Sequence, residues 1–212
     1  MAIKSLQLVI IVIALITTEV QLQPLTSGCE CPRGDRHSQA RFCKADYVLY
    51  GKVNKEDLDT AEPLVDTSTN RYTVRILAAM KGVRERVGSD IIIESPARGF
   101  ENCGRRLTVG ESYILMGNNG VDGKKKIYIC DLVTQLSNFS TDEAFYLFTR
   151  GLYSYRFNCA RRCNILTGES KGSRGCHFKF DDSKKDNLGC LARHALCKRQ
   201  RRGCIWYNDD KC

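Results

Sequence analysis

Arg71-Tyr72-Thr73-Val74-Arg75-Ile76-Leu77-Ala78-Ala79-Met80-Lys81 is the stretch that decides the fold class. Tyr72, Val74 and Ile76 alternate with Thr73 and Arg75. In an extended chain side chains point to opposite faces with a period of two, so the three apolar residues share one face. A strand of that kind needs partners. Downstream, Ser89 to Glu94 holds the β-branched run Ile91, Ile92 and Ile93, and Ser112 to Gly117 and Lys126 to Asp131 are two further apolar runs. Between these two, Asn118-Asn119-Gly120 and Asp122-Gly123 read as a hairpin loop. Upstream, Phe42 to Val53 mixes apolar and polar residues at short period, which predicts a strand with an irregularity. About five strands predict a mainly β unit, a small closed barrel or a sandwich.

Beyond the strands the texture changes. Ser140 and Glu143 have capping-box spacing, and Asp142 and Glu143 sit where the helix dipole favours acids. Ala144, Phe145, Phe148 and Leu152 follow at helical spacing with Leu147 beside them, predicting a helix that lays its Phe-rich face on the barrel. Asn138-Phe139-Ser140 is a glycosylation sequon just before that helix. Its serine is asked to be both sequon residue and helix cap.

Twelve cysteines, an even and dense set, read as a disulfide framework. Zinc is the competing reading, but C-x-x-C pairs are missing and the three histidines, His37, His177 and His194, are scattered. Six of the cysteines follow Cys159, with Gly, Lys and Arg between them, which predicts a small disulfide-dependent C-terminal unit beginning near Asn158 to Arg162. The net charge is +9, and from Cys159 to Cys212 there are 13 Lys or Arg against 6 Asp or Glu. On a secreted chain such a surface favours sulfated glycans or acidic protein faces over nucleic acid. Lys198-Arg199-Gln200-Arg201-Arg202 is the densest basic run, and between Cys197 and Cys204 it reads most simply as a bridged, solvated loop.

The amino terminus reads as a secretory leader: Lys4, an apolar run from Leu6 to Ile16, then the small residues Thr26, Ser27 and Gly28. The run is short for a bilayer span, so the protein is expected in the extracellular space or matrix. Thr17 and Thr18 offer an earlier cleavage site; a bacterial lipoprotein signal is out of step at Leu25. Cleavage before Cys29 would leave Cys29-Glu30-Cys31-Pro32 at a free terminus, either a metal-chelating tip or two structural half-cystines. Arg33-Gly34-Asp35 next to it matches an integrin-binding tripeptide, and a turn needing Gly and Asp explains it equally well. Nucleophile motifs, H-E-x-x-H and Gly-rich phosphate loops are all missing, which argues against an enzyme.

Four sets of residues together resemble the tissue inhibitors of metalloproteinases: Cys29-Glu30-Cys31-Pro32, Phe42-Cys43-Lys44-Ala45-Asp46, Cys103-Gly104, and Cys204-Ile205-Trp206-Tyr207. The resemblance spans nearly the whole chain after the leader. It implies a leader over 1–28, a five-stranded OB-like (netrin-type) inhibitory barrel with helices over 29–159, and a disulfide-rich C-terminal domain over 160–212. It implies bridges from Cys29 to Cys103, Cys31 to Cys130 and Cys43 to Cys159. Vertebrate members end their cysteines before Trp-Tyr, whereas Cys212 lies beyond it here, so the pairing of Cys163, Cys176, Cys190, Cys197, Cys204 and Cys212 stays open among 15 connectivities.

The function implied is inhibition of secreted or membrane-anchored zinc metalloproteases, with no cofactor of the inhibitor's own and zinc supplied by the target. The α-amino nitrogen and carbonyl oxygen of Cys29 would bind that zinc. Glu30, Cys31, Pro32, Lys44, Ser95, Pro96, Ala97, Arg98, Phe100, Glu101 and Asn102 would complete the contact ridge. Family members often carry a small hydroxyl residue where this chain has Glu30, so an altered protease preference is expected. The alternative is a netrin-type module that binds matrix glycans through its basic C-terminal unit and needs no free Cys29.

Overall fold

A computed structural model describes residues 31, 37–58, 69–97, 103–167, 175–178 and 185–212. Five strands form a ring: β1 (Tyr47–Asp57), β2 (Thr69–Lys81), β3 (Asp90–Pro96), β4 (Ser112–Asn119) and β5 (Lys125–Lys126), in the order β1-β2-β3-β5-β4. Antiparallel pairing of β1 with β4, from Tyr47 opposite Gly117 to Lys52 opposite Ser112, closes the barrel. Closure gives each long strand a neighbour on both sides over part of its length. The alternation in β2 has the expected result: Tyr72, Val74 and Ile76 are fully buried among Tyr47, Leu49, Val53, Ile93, Leu107 and Leu115, while Ile92 on the outer face of β3 is half exposed. The irregularity expected in β1 consists of register shifts against β2 at Val48/Leu49, Tyr50/Gly51 and Val53/Lys55. Such bulges bend a strand, and Gly51 suits one because a Cβ there would lie 2.5 Å from Val74 Cγ1.

The hairpin loop falls between β4 and β5 as read, but the expected strand over Lys126 to Asp131 does not persist. Only Lys125–Lys126 is a strand; the chain then turns at Ile129–Cys130 and resumes as β6 (Leu132–Thr134), paired with Ile114–Met116 of β4 on the flank opposite β1. The cause is local. Asp131 Oδ2 accepts the Tyr128 N–H at 2.8 Å and the Asp131 N–H donates to Tyr128 O at 3.0 Å, closing a tight turn in place of ladder bonds.

A second core lies on the outside of the barrel, where Val48, Met80, Ile114 and Met116 meet three helices: α1 (Ser38–Lys44), α2 (Thr141–Phe148) and α3 (Tyr155–Ala160). Phe42 to Lys44, expected in the first strand, instead ends α1. Lys81 Nζ holds that end by donating to the Phe42 and Cys43 carbonyls, each at 2.9 Å, groups that a helix terminus leaves without intrahelical donors. In α2 the Ser140–Glu143 capping box is present. Its buried face is nevertheless Glu143, Tyr146 and Leu147; Phe145, Phe148 and Leu152, expected inside, are 51%, 41% and 52% exposed.

The C-terminal residues form β7 (Asn164–Thr167) parallel to β8 (Gly175–Phe178), α4 (Lys185–His194), and a hairpin of β9 (Leu196–Gln200) with β10 (Gly203–Tyr207). Bridges Cys163–Cys204, Cys176–Cys197 and Cys190–Cys212 resolve the open connectivity. Lys198 to Arg202 therefore lie on β9 and the hairpin turn, not in a loop closed between Cys197 and Cys204. Leu196 and Tyr207 reach across to the second core beside Phe42 and Tyr146. Among the described residues no helix is long and apolar enough to cross a membrane.

Candidate functional site

The turn that interrupts the β5–β6 run is where the amino-terminal segment is fastened. Cys31 is bonded to Cys130, at the apex of the turn, with Cα atoms 5.3 Å apart. Arg41 from α1 donates through Nη1 to the Cys130 carbonyl at 2.5 Å, so helix and turn grip the tether from two sides. Asp131 beside it is pushed above the usual carboxylate range by burial, opposed by the Tyr128 N–H and the Arg41 charge.

Cys103 lies against the same turn. The Ile129 N–H donates to its carbonyl at 2.7 Å, and Gly104 bridges Tyr128. Gly104 packs so closely on the end of β3 that a Cβ would lie 1.8 Å from Pro96 O, a position no other residue could occupy without moving the strand. Cys103 is disulfide-bonded; Cys29, expected as its partner, lies outside the described residues. The turn that seats Cys130, the partner of Cys31, is thus joined to Cys103 by one hydrogen bond, from the Ile129 N–H to the Cys103 carbonyl.

The end of β3 supports this junction from beneath. Ser95 is fully buried and its Oγ accepts the Arg105 N–H at 2.7 Å; Ala97 is buried as well. The side chains of Ser95 and Ala97 therefore do not face a partner, and only Pro96 is partly exposed. Glu94, one residue earlier, is buried between Arg71 Nε at 3.2 Å and Lys124 Nζ at 3.0 Å. Burial would raise its carboxyl, but these two cations outweigh that and hold it below the usual range.

On the other side, α1 carries Lys44 exposed at its last turn and Cys43 bonded to Cys159 of α3. Its buried face contacts the C-terminal unit directly. Gln39 donates through Nε2 to the carbonyls of Cys163 (2.9 Å) and Cys197 (2.8 Å) and accepts the Cys197 N–H at 2.8 Å. His37 caps the helix by accepting the Gln39 N–H at Nδ1, and burial lowers its pKa to about 4, opposed by the nearby Ala195 backbone carbonyl, which favours the protonated ring. Ser38 Oγ donates to Glu143 Oε1 at 2.5 Å, joining α1 to α2.

Glu30, Pro32, Arg98, Phe100, Glu101 and Asn102, and the Arg33-Gly34-Asp35 tripeptide, lie outside the described residues. Of the basic run, Arg201 and Arg202 are exposed at the hairpin turn, whereas Lys198 Nζ sits 3.7 Å from the Tyr153 ring centroid and 5.1 Å from that of Tyr207. Cys163, Cys197 and Cys204 bring their sulfurs within 4.8 Å of one another, a spacing suited to a metal, but all three are half-cystines with no thiolate to offer. Arg41, Arg105 and Asp131, which build the tether, were not legible in the sequence: no spacing links an arginine on a short helix to a carbonyl 89 positions away.

Comparison with known proteins matches residues 27–206 to the family model described as tissue inhibitor of metalloproteinase. The relatives include metalloproteinase inhibitor 2 of Gallus gallus, 28% identical over 189 residues, covering 85% of this chain and 81% of that protein. The protein of the same name from Bos taurus is 26% identical over 195 residues, covering 88% and 84%, and that from Homo sapiens 26% over 189 residues, covering 85% and 81%.

Proposed function

The chain belongs to the tissue inhibitor of metalloproteinase family, and from that premise we propose that it blocks zinc metalloendopeptidases of the matrix metalloproteinase or adamalysin type with its own amino terminus. It is an inhibitor of metalloproteinases, not an enzyme. The finer reading concerns how. The amine nitrogen and carbonyl oxygen of Cys29 are separated by two carbons and can close a five-membered ring on one metal. A catalytic zinc keeps one position for water or substrate. Taking that position excludes the attacking water.

The observation that carries this reading is the junction at Cys130 and Cys103. A chelating terminus is useful only if it is held still, because every ordered residue otherwise adds to the cost of docking. The Cys31–Cys130 bridge, the Arg41 bond to Cys130 and the Ile129 bond to Cys103 supply that restraint within two residues of Cys29. An α-amino group has a reference pKa of about 7.7 to 8.0, so losing its proton to become a ligand costs little near neutral pH. Glu30 would follow into the pocket beside the zinc. Lys44, Pro96, Arg98, Phe100, Glu101 and Asn102 would flank it, with Ser95 and Ala97 supporting from below.

The mechanism requires the mature chain to begin at Cys29. Terminal sequencing or intact mass of the secreted protein, paired with titration against a matrix metalloproteinase catalytic domain, tests it. Stoichiometric inhibition by a chain beginning at Cys29 is expected; equal inhibition by a chain with any other first residue would sink the proposal.

A further inference from the structure

Asn138-Phe139-Ser140 is the only N-x-[ST] sequence in the chain, and nothing in the inhibitory reading uses it. We infer that Asn138 carries an N-linked oligosaccharide, placed at the rim of the cleft behind the amino-terminal tether.

Asn138 ends a single 3-10 turn (Leu136–Asn138) and is exposed, while Phe139 after it packs against the second core. The asparagine is therefore presented outward by a residue anchored inward. Among the described residues its Nδ2 has one partner, Thr134 Oγ1 at 3.1 Å. The amide nitrogen carries two hydrogens, and glycosylation replaces one. The modified amide keeps the other, so the sugar can be attached without burying or orphaning a polar group.

The step itself is a substitution at a sugar carbon. Nδ2 forms a bond to the anomeric carbon of the reducing-end N-acetylglucosamine of a lipid-linked oligosaccharide. The bond from that carbon to the lipid pyrophosphate oxygen breaks, the pyrophosphate leaves with the electron pair, and the amide gives up one proton. No oxidant or reductant is involved.

Ser140 answers the question of timing. In the folded chain its hydroxyl accepts the Glu143 N–H and donates to the Arg193 carbonyl, so it is engaged twice. Arg193 is 53 residues further along and is made later. When the sequon enters the secretory lumen that bond does not exist, and transfer precedes closure of α4 onto α2. Ser140 serves as sequon residue first and as helix cap afterwards.

The location gives the glycan a consequence. Asn138 lines a cleft of about 380 Å³ together with Arg41, Arg105, Ile129 and Asp131. Ile129 and Asp131 flank Cys130, the anchor of the tether. An oligosaccharide rooted there covers the cleft wall behind the tip.

The test is secretion of the full chain, with its own leader, from a eukaryotic host that glycosylates a co-expressed control sequon. Wild type and Ser140→Thr should both exceed the polypeptide mass by one N-linked oligosaccharide. Peptide N-glycosidase should remove it and leave aspartate at 138. Asn138→Gln should be secreted without the adduct. A secreted wild type at bare polypeptide mass, or an adduct that persists in Asn138→Gln, overturns the inference. A chain retained in the cells would overturn the expected secretion on which it rests.

Discussion

His37 is held neutral by its surroundings, and that has a sign. Its imidazole accepts the Gln39 N–H as the cap of α1, a role that only an unprotonated Nδ1 can fill, and burial lowers its pKa from 6.5 to about 4. A base whose folded pKa is depressed contributes stability fully above its unfolded value. That contribution is lost as pH falls from about 6.5 towards about 4, and it amounts to roughly 3 kcal/mol. Denaturant titrations across this range should show His37→Asn, which keeps a capping acceptor but does not titrate, losing less stability with acid than wild type. Parallel slopes would exclude the role. Glu30 acts at the same scale but on the partner. A carboxylate entering an apolar pocket loses hydration, so Glu30→Ser is expected to tighten inhibition of proteases with apolar pockets by about tenfold, roughly 1.4 kcal/mol. Unchanged inhibition constants across a protease panel would show that Glu30 stays in water.

At the scale of elements, α2 separates two patterns that its sequence superimposes. Phe145, Phe148 and Leu152 have helical spacing, yet Tyr146 and Leu147 are the residues buried, with the Tyr146 hydroxyl donating to His194 O and accepting from Asn208 Nδ2. Leu147→Ala should therefore cost about 2–5 kcal/mol, while Phe145→Ser should stay within about 1 kcal/mol, by thermal or chemical unfolding. The reverse order would mean that the expected Phe-rich face is the packed one after all. The strands were readable because alternation reports burial directly, as Tyr72, Val74 and Ile76 demonstrate. The seven-residue α1 was not. Phe42 and Ala45 in an otherwise polar segment also fit a strand end, and its cap is a histidine rather than a residue usual there. The end of β5 was lost for a related reason: Ile127 and Ile129 look strand-like, and only the Tyr128–Asp131 turn bonds reveal the break.

In the whole molecule, the two regions that cysteine density divides are joined through α1. The three hydrogen bonds of Gln39 and the place of Leu196 in the second core cross that division, while Cys43–Cys159 fastens α1 at its edge. The sequence could announce a framework of disulfides but not the last three pairings, because connectivity depends on how β9 and β10 bring Cys197 and Cys204 to Cys176 and Cys163. The same limit applied at the tip: the cysteines were legible, whereas Arg41 and the turn that seats Cys130 emerge only from tertiary packing. Those contacts give the account its central claim, that a restrained backbone amine and carbonyl, not a thiol, bind the target's zinc. One added residue tests it most directly. The mature protein beginning at Cys29 and the same protein with a single alanine before Cys29 should be titrated against one matrix metalloproteinase catalytic domain. The extension removes the free amine from Cys29 while leaving every described disulfide available, so inhibition should weaken by at least about a thousandfold, or about 4 kcal/mol. Equal inhibition by the two proteins would contradict the chelation mechanism.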